Sequence, residues 1–197
     1  MKAKSTSPSP QAAAFLDRDG VICEFVEELS DISEFRFREG IAPAIQKLNQ
    51  AGYLVFVATN QPNIARGKMT WNALEQIHQV MVQQLSLQGA RIDKVYFCPH
   101  RVGGVISQYA FDCDCRKPKP GLLEQAARDY SIDRAKSMMI GDTWRDIECA
   151  KRFGITGLAV KGGSGFPYAP HKEESRYQPS QLFSGPLEAV NWWLDNQ

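Results

Sequence analysis

The chain has 197 residues with 23 Lys+Arg against 22 Asp+Glu, a formal net charge of +1, and 43% hydrophobic and 23% charged residues. This composition is typical of a globular protein, and the length suits one domain with a sizeable core. The near-neutral charge argues against a nucleic-acid-binding protein, and the lack of any apolar run of 18 residues argues against a membrane span.

The N-terminal segment 1–11 contains Lys, Ser and Pro but no apolar stretch. Segments of this kind are typical of disordered tails and lack the apolar centre of a cleaved secretion signal. We therefore expect a disordered tail over 1–11, a single domain over 12–197, and a cytoplasmic protein that is a monomer.

Short apolar runs alternate with longer amphipathic segments along most of the chain. The runs predict strands buried on both faces, and they cover residues 12–16, 53–58, 94–98, 137–140 and 156–160. The amphipathic segments predict helices over residues 41–51, 70–88, 120–130 and 143–153. Strand–helix alternation indicates an α/β fold with a parallel sheet and helices on both faces. We expect residues 162–186 to form a surface loop that leads to a short helix, which Trp192 and Trp193 dock onto the core.

Reactive side chains follow several of these strands. Asp17 and Asp19 follow the first strand, Thr59 ends the second, and Asp142 follows the fourth, while Lys117 precedes a helix. The carboxyl ends of parallel strands meet at one edge of a sheet, where chemistry gathers.

These residue types suit phosphoryl transfer. One aspartate can act as the nucleophile while the other moves protons, and a third carboxylate completes an oxygen-rich magnesium site. A hydroxyl from Thr59 and an ammonium from Lys117 could bind the phosphoryl oxygens. Each segment alone also fits a simple turn or a solvated loop, but their combination predicts a phosphoryl-transfer site.

Four of the soft metal ligands are clustered. Cys98-x-His100 is followed by Cys113-x-Cys115, a set that suits tetrahedral structural zinc. Buried thiols or a disulfide are the alternatives, although Cys113 and Cys115 are too close in sequence to pair well. The loop 98–115 would hold in place the two cationic side chains that follow it in sequence, Arg116 and Lys117. The remaining residues of these types are expected to be ordinary core or surface side chains: Cys23, Cys149, His78 and His171.

The motifs resemble those of a known family. FLDRDGV, VATNQ, RKPKPG and MIGDTWRD are similar to the four motifs of the haloacid dehalogenase superfamily of phosphatases, over residues 14–160. Within it, FLDRDG, TNQPNIARGK, YFCPH, CDCRKPKPG and MIGD resemble the D-glycero-D-manno-heptose 1,7-bisphosphate phosphatases and the related histidinol-phosphatases. The resemblance implies a Rossmann-like three-layer sandwich, and it implies the same zinc-bound loop.

The resemblance also implies roles for individual residues. Asp17 would form an aspartyl-phosphate, and Asp19 would protonate the leaving sugar oxygen and then deprotonate water. The other implied roles are Mg²⁺ binding by the Asp17 carboxylate, the Asp19 carbonyl and Asp142; phosphoryl stabilisation by Thr59 and Lys117; substrate binding by Asn60, Gln61 and Arg116; and orientation of the site by Asp146. Cys23 departs from the family, which often has Asn there, and removes a polar group near the substrate.

The implied activity is a magnesium-dependent phosphatase that acts on a phosphorylated sugar, with heptose 1,7-bisphosphate cleaved at position 7 as the leading substrate. Histidinol phosphate or another small-molecule phosphate monoester is the alternative substrate in the same chemistry. A phosphotransferase and a non-catalytic zinc-stapled binding module are alternatives in other classes. The spacing from Asp17 to Thr59 and on to Lys117 leaves no room for a cap domain. We therefore expect an essentially capless site, with residues 24–39 as a partial lid.

Overall fold

The computed structural model describes residues 9–162 and 179–197. Most of the predicted tail, His171 and most of the predicted 162–186 loop lie outside these residues. Gln11, at the end of the predicted tail, is joined to the domain because its amide N donates to Ser131 O at 2.9 Å.

The elements follow the predicted alternation. The strands are β1 (Ala13–Leu16), β2 (Leu54–Asn60), β3 (Lys94–Cys98), β4 (Met138–Gly141), β5 (Thr156–Val160) and β6 (Leu182–Phe183). The helices are α1 (Ile41–Gln50), α2 (Trp71–Leu87), α3 (Gly121–Asp129), α4 (Trp144–Phe153) and α5 (Pro186–Asp195). Among the described residues, no helix combines the length and apolar character needed to cross a membrane.

All six strands pair in parallel, in the order β3-β2-β1-β4-β5-β6. The strands β2 and β3 lie on one side of β1, and the strands from β4 onward lie on its other side. The order of the strands therefore switches between β1 and β4, where Leu16 pairs with Ile140. Ligands of such sheets bind at this switch point, outside the carboxyl ends of the strands. Asp17 leaves β1 there, and its amide N donates to Ile140 O at 3.0 Å.

The sheet is the middle of three layers. Alternate residues of β1 point to opposite faces, with Leu16 in a cluster that includes side chains of α1, α2 and α5, and Phe15 in one that includes side chains of α3 and α4. Both residues are almost fully buried. Burial on both faces explains the continuous apolar runs, and the predicted three-layer α/β fold is confirmed.

The helix ends show why the segments stop where they do. Thr70 is the N-cap of α2, and its Oγ1 accepts from Ala73 N at 3.1 Å, as the sequence predicts. Gly154 ends α4 in the left-handed conformation at φ +85°.

The C-terminal region holds one strand that the sequence did not predict. Phe183 of β6 pairs with Val160 at the sheet edge, and a two-residue strand is too short to produce a recognisable pattern. Trp193 is buried and its Nε1 donates to Tyr53 Oη at 2.9 Å, while half-buried Trp192 packs on Phe183. The predicted docking of this helix is therefore confirmed.

Within the described residues, the chain between β1 and β2 forms only a 3-10 turn (Ile32–Glu34) and α1, and α2 is the one helix between β2 and β3. Neither connection contains the elements of a separate domain. The described part of the chain is capless, as the spacing predicts.

Candidate active site

A cavity of about 320 Å³ opens at the carboxyl edge of the sheet. Six carboxylates and a lysine line it, namely Asp17, Asp19, Glu27, Glu28, Asp142, Asp146 and Lys117. Five arginines line the same cavity, namely Arg18, Arg66, Arg101, Arg116 and Arg145. The cavity therefore offers acidic groups for a cation and basic groups for anions.

Lys117 lies between two carboxylates. Its Nζ is 2.9 Å from Asp17 Oδ1 and 2.5 Å from Asp146 Oδ1, and its side chain is only 2% exposed. Burial opposes the charged form, but Asp146 and Asp17 outweigh it and raise the pKa of Lys117. Lys117 is thus a fixed cation beside the predicted nucleophile.

At the switch point, the buried carboxyl groups outnumber the neighbouring cations, so their negative charges are only partly neutralised. Burial raises the pKa of Asp17 to about 6, with Lys117 acting against that shift. Burial, with the charges of Asp17 and Asp146, raises the pKa of Asp142 to about 9. Such crowding favours a bound cation, whose charge would stabilise the ionised carboxylates.

The donor atoms fit a hard metal ion. One side-chain oxygen from each of Asp17, Asp142 and Asp146 lies within 4.8 Å of the others. Among the described residues, the buried Asp142 Oδ2 has no hydrogen-bonding partner. Gly20, at φ +81°, leaves room for this carboxylate, since a Cβ there would collide with Asp142 Oδ2. Magnesium prefers such an all-oxygen set.

Asp146 is hydrogen-bonded to the start of α4, and its orienting role stays a prediction. Its Oδ2 accepts from Thr143 N at 3.1 Å and Thr143 Oγ1 at 2.7 Å, and these bonds cap α4. Its Oδ1 faces Lys117, so both oxygens are engaged with the protein.

The last two residues of β2, Thr59 and Asn60, and the following Gln61 form hydrogen bonds within the site. Thr59 is buried and its Oγ1 accepts from Gln61 Nε2 at 2.9 Å, and it is not among the residues that line the cavity. Asn60 Oδ1 accepts from Lys117 N, and Asn60 Nδ2 donates to Lys117 O, both at 3.0 Å. Asn60 and Gln61 also line the cavity, so their predicted contact with substrate stays a prediction.

Arg18 belongs to the site but was not predicted from the sequence. Its side chain is 1% exposed and pairs with Asp19 at 2.9 Å. An arginine in an acidic turn is typical of an exposed side chain. Only the position of Arg18 between two functional aspartates could have indicated a role in the site. His78, expected to be an ordinary histidine, is buried beside this guanidinium.

The predicted soft-ligand cluster forms. Side-chain donor atoms of Cys98, His100, Cys113 and Cys115 all lie within 4.8 Å of one another. The thiols are free, with Sγ–Sγ distances of 3.5 Å for Cys98–Cys113 and 3.2 Å for Cys113–Cys115, so the disulfide alternative is wrong. Three sulfurs and one imidazole nitrogen at such distances fit a tetrahedral zinc ion.

Arg116 connects the cluster to the cavity, because this cavity-lining residue donates from Nη1 to His100 O at 3.0 Å.

On another wall of the cavity, residues 25–29 of the predicted lid line it. Cys23 is buried rather than facing the cavity, and its Sγ is 3.6 Å from Asp19 Oδ1. Its effect on the substrate would therefore pass through Asp19.

Comparison with known proteins identifies relatives over most of the chain. A sequence model of the HAD-hydrolase-like family matches residues 114–184. The D-glycero-beta-D-manno-heptose-1,7-bisphosphate 7-phosphatase of Rhodopseudomonas palustris is 43% identical over 80% of this chain and 88% of that protein. The enzyme of the same name from Escherichia coli K12 is 38% identical over 83% of this chain and 85% of that protein.

A solved structure is similar in fold as well. The D,D-heptose 1,7-bisphosphate phosphatase of B. bronchiseptica, complexed with magnesium and phosphate, superposes with a TM-score of 0.80 and 28% identity. The alignment covers 95% of this chain and all of that one.

Proposed function

The chain belongs to the D-glycero-D-manno-heptose-1,7-bisphosphate 7-phosphatase family, and we propose that it hydrolyses the 7-phosphate of that heptose bisphosphate to release heptose 1-phosphate and inorganic phosphate. One observation supports this substrate above the others. Five arginines line the cavity that holds Asp17 beside Lys117. Arg18 pairs with Asp19 and Arg66 with Glu28, and the other three, Arg101, Arg116 and Arg145, are still more cationic groups than one phosphate needs. A second phosphate on the substrate accounts for them, because guanidinium groups match phosphate oxygens.

In the first half-reaction, an Asp17 oxygen attacks phosphorus and the bond from phosphorus to the sugar oxygen breaks. Asp19 transfers its proton to that oxygen, so the sugar leaves as an alcohol. Lys117 stabilises the negative charge spread over the phosphoryl oxygens, and the predicted contact of the Thr59 hydroxyl with them requires a small movement of Gln61, which covers it.

In the second half-reaction, water attacks the phosphorus of the Asp17 aspartyl-phosphate. Asp19, now a carboxylate, takes the proton from that water as the bond between Asp17 and phosphorus breaks. Phosphate leaves, Asp17 is again a carboxylate and Asp19 is again protonated. Asp146 keeps Lys117 beside Asp17 throughout both steps.

Magnesium bound by the Asp17 carboxylate, the Asp19 carbonyl and Asp142 would supply positive charge that offsets repulsion between these groups and the phosphate. The unpartnered Asp142 Oδ2 supports this assignment.

Zinc bound by the cluster that includes Cys98 and Cys115 would be structural, since four protein ligands leave no open position. Cys115 directly precedes Arg116 and Lys117. A fixed loop would hold both cations in place before substrate binds, which lowers the entropic cost of binding. None of the five cysteines forms a disulfide, which suits a reducing compartment and supports a cytoplasmic enzyme, and the monomer stays a prediction.

Histidinol phosphate is a weaker candidate. It carries one phosphate only, so it would leave Arg101, Arg116 and Arg145 without the second phosphate that could pair with them. A phosphotransferase is weaker too, because the capless site leaves the aspartyl-phosphate open to water. A non-catalytic module has no need of the buried Asp17, Lys117 and Asp142 together.

The test is a phosphate-release assay that compares kcat/KM for heptose 1,7-bisphosphate, heptose 7-phosphate and histidinol phosphate. We expect the bisphosphate to have the highest value. Arg116→Gln should lower kcat/KM for the bisphosphate more than for heptose 7-phosphate, whereas Arg128→Gln, an exposed arginine outside the cavity, should change neither. A higher kcat/KM for histidinol phosphate would overturn the assignment.

A further inference from the structure

Arg18 is one of the largest fully buried side chains in the described part of the protein. Its Nε donates to Asp19 Oδ1 and its Nη2 to Asp19 Oδ2, both at 3.0 Å. This two-pronged contact fixes the carboxylate plane as well as its position. Asp19 is its neighbour in sequence, so a short turn alone places the pair.

The guanidinium is itself held from two sides. Nη2 also donates to Gln61 Oε1 at 2.9 Å, at the end of β2. Nη1 lies 3.4 Å from Nε2 of His78, on α2. Burial, with the charge of Arg18, lowers the pKa of His78 to about 3, so its neutral ring accepts at Nε2. Arg18 is therefore anchored to the sheet and to a helix.

The Asp19 carboxylate receives a further donor from the sheet. Gln61 Nε2 donates to Asp19 Oδ2 at 2.8 Å. The Asp19 side chain is nevertheless 23% exposed and lines the cavity. The carboxylate is thus held from behind while it stays accessible from the cavity.

We propose that Arg18 is the positioning residue for the acid–base group Asp19, an inference that rests on the proposed function. Asp19 gives its proton to the leaving oxygen as the phosphorus–oxygen bond breaks. It then takes a proton from the water that attacks the aspartyl-phosphate. In both steps the carboxyl group must face the reacting oxygen, and the Arg18 fork limits its rotation to that orientation.

The composition of the network argues against a role in packing alone. Burying a guanidinium and a carboxylate costs desolvation energy that an apolar pair of similar volume would avoid. Arg18 spends four hydrogen-bonding contacts on Asp19, Gln61 and His78. A single-point cation such as lysine could supply the charge but not the two-pronged contact.

The experiment compares two leaving groups in the magnesium-loaded enzyme. The value of kcat/KM reports the steps up to and including departure of the leaving group. In those steps a poor leaving group, such as a sugar alkoxide, needs a proton, whereas a good one does not. For Arg18→Met we expect kcat/KM to fall about 100-fold with heptose bisphosphate and less than about 5-fold with p-nitrophenyl phosphate, because general acid catalysis matters only for the first. Arg18→Lys should show the same selectivity, since it keeps the charge without the fork.

The matched control is Arg134→Met. Arg134 is exposed, its guanidinium lies 3.9 Å from the Phe153 ring centroid, and it precedes β4 at the opposite edge of the sheet. Its loss should leave the ratio of the two kcat/KM values unchanged. An equal fall for both substrates in the folded Arg18→Lys protein would overturn the positioning role. If heptose bisphosphate is not hydrolysed by the wild type, the proposed function fails, but the leaving-group ratio is still measured with any alkyl phosphate that is.

Discussion

Asn60 forms a closed pair of hydrogen bonds with the main chain of Lys117, in which its amide accepts from Lys117 N and donates to Lys117 O, both at 3.0 Å. The pair joins the end of β2 to the loop that carries the catalytic cation. Asn60 thereby sets where the Lys117 side chain begins, and Asp146 and Asp17 set where it ends.

This relationship predicts the effect of Asn60→Ala. Losing both bonds should displace Lys117, which stabilises charge in the transition state, so kcat should fall about 10- to 100-fold with little change in KM. The control is Asn49→Ala, because Asn49 makes the same pair of bonds with Arg91 away from the cavity. It should lower stability without changing kcat. A rise in KM at constant kcat for Asn60→Ala would instead support direct substrate binding.

The nucleophile is tested by Asp17→Asn. An amide cannot form the aspartyl-phosphate, so kcat should fall by roughly 10⁴-fold or more. The far-UV circular dichroism spectrum should match that of the wild type, because the replacement has nearly the same shape and Lys117 keeps Asp146 as its partner. Activity at the wild-type level in this variant is incompatible with the mechanism.

The zinc site is tested by elemental analysis of protein purified without chelators. We expect about one zinc per chain, as four ligands imply, and less in Cys113→Ser, which should also unfold at a lower temperature and have a lower kcat. Cys149→Ser makes the same chemical change at a buried thiol outside the cluster and should retain its zinc. Wild-type protein without zinc would reject the site.

The magnesium site should make stability depend on pH. The pKa of Asp142 is raised to about 9, so this carboxyl favours the folded state when protonated. Without magnesium, the unfolding temperature should therefore fall as the pH rises from about 7 to about 9. Magnesium replaces that proton, so it should stabilise the protein more at the higher pH.

This prediction has its own controls, all in buffer that retains zinc. Asp142→Asn should remove both the pH slope and the extra stabilisation by magnesium. Asp129→Asn should keep them, because the pKa of that surface carboxyl is lowered by Lys94 and it is already ionised over this range. An Asp142→Asn protein with an unchanged slope would show that another group titrates.

The elements that could be predicted are those whose burial produces a local pattern of apolar residues in the sequence. The runs that form β3 and β5 match their predicted bounds. Four of the five residues of β5 are buried, as predicted, whereas β3 is an edge strand in which Lys94 is exposed and Val95 and Phe97 are half-buried, so its predicted burial on both faces is wrong. Asp17 and Asp142 could be assigned to one site because strand ends in a parallel sheet converge. The zinc cluster could be predicted from the sequence because its four ligands lie in two pairs that are each close in sequence.

What escaped prediction depends on contacts between distant segments. The buried state of Arg18 is set by Gln61 and His78, which lie far from it in sequence. Likewise, the pairing of Asn60 with Lys117 joins the end of β2 to a loop 57 residues further along the chain, and no local pattern predicts that contact. The sequence could identify the reactive groups but not the side chains that hold them.

The most direct test of the central claim is ³¹P nuclear magnetic resonance of D-glycero-D-manno-heptose 1,7-bisphosphate during incubation with the enzyme and magnesium. We predict that the 7-phosphate resonance is replaced by that of inorganic phosphate while the 1-phosphate resonance persists. Loss of the 1-phosphate first, or no hydrolysis by the zinc-replete enzyme, would contradict the account.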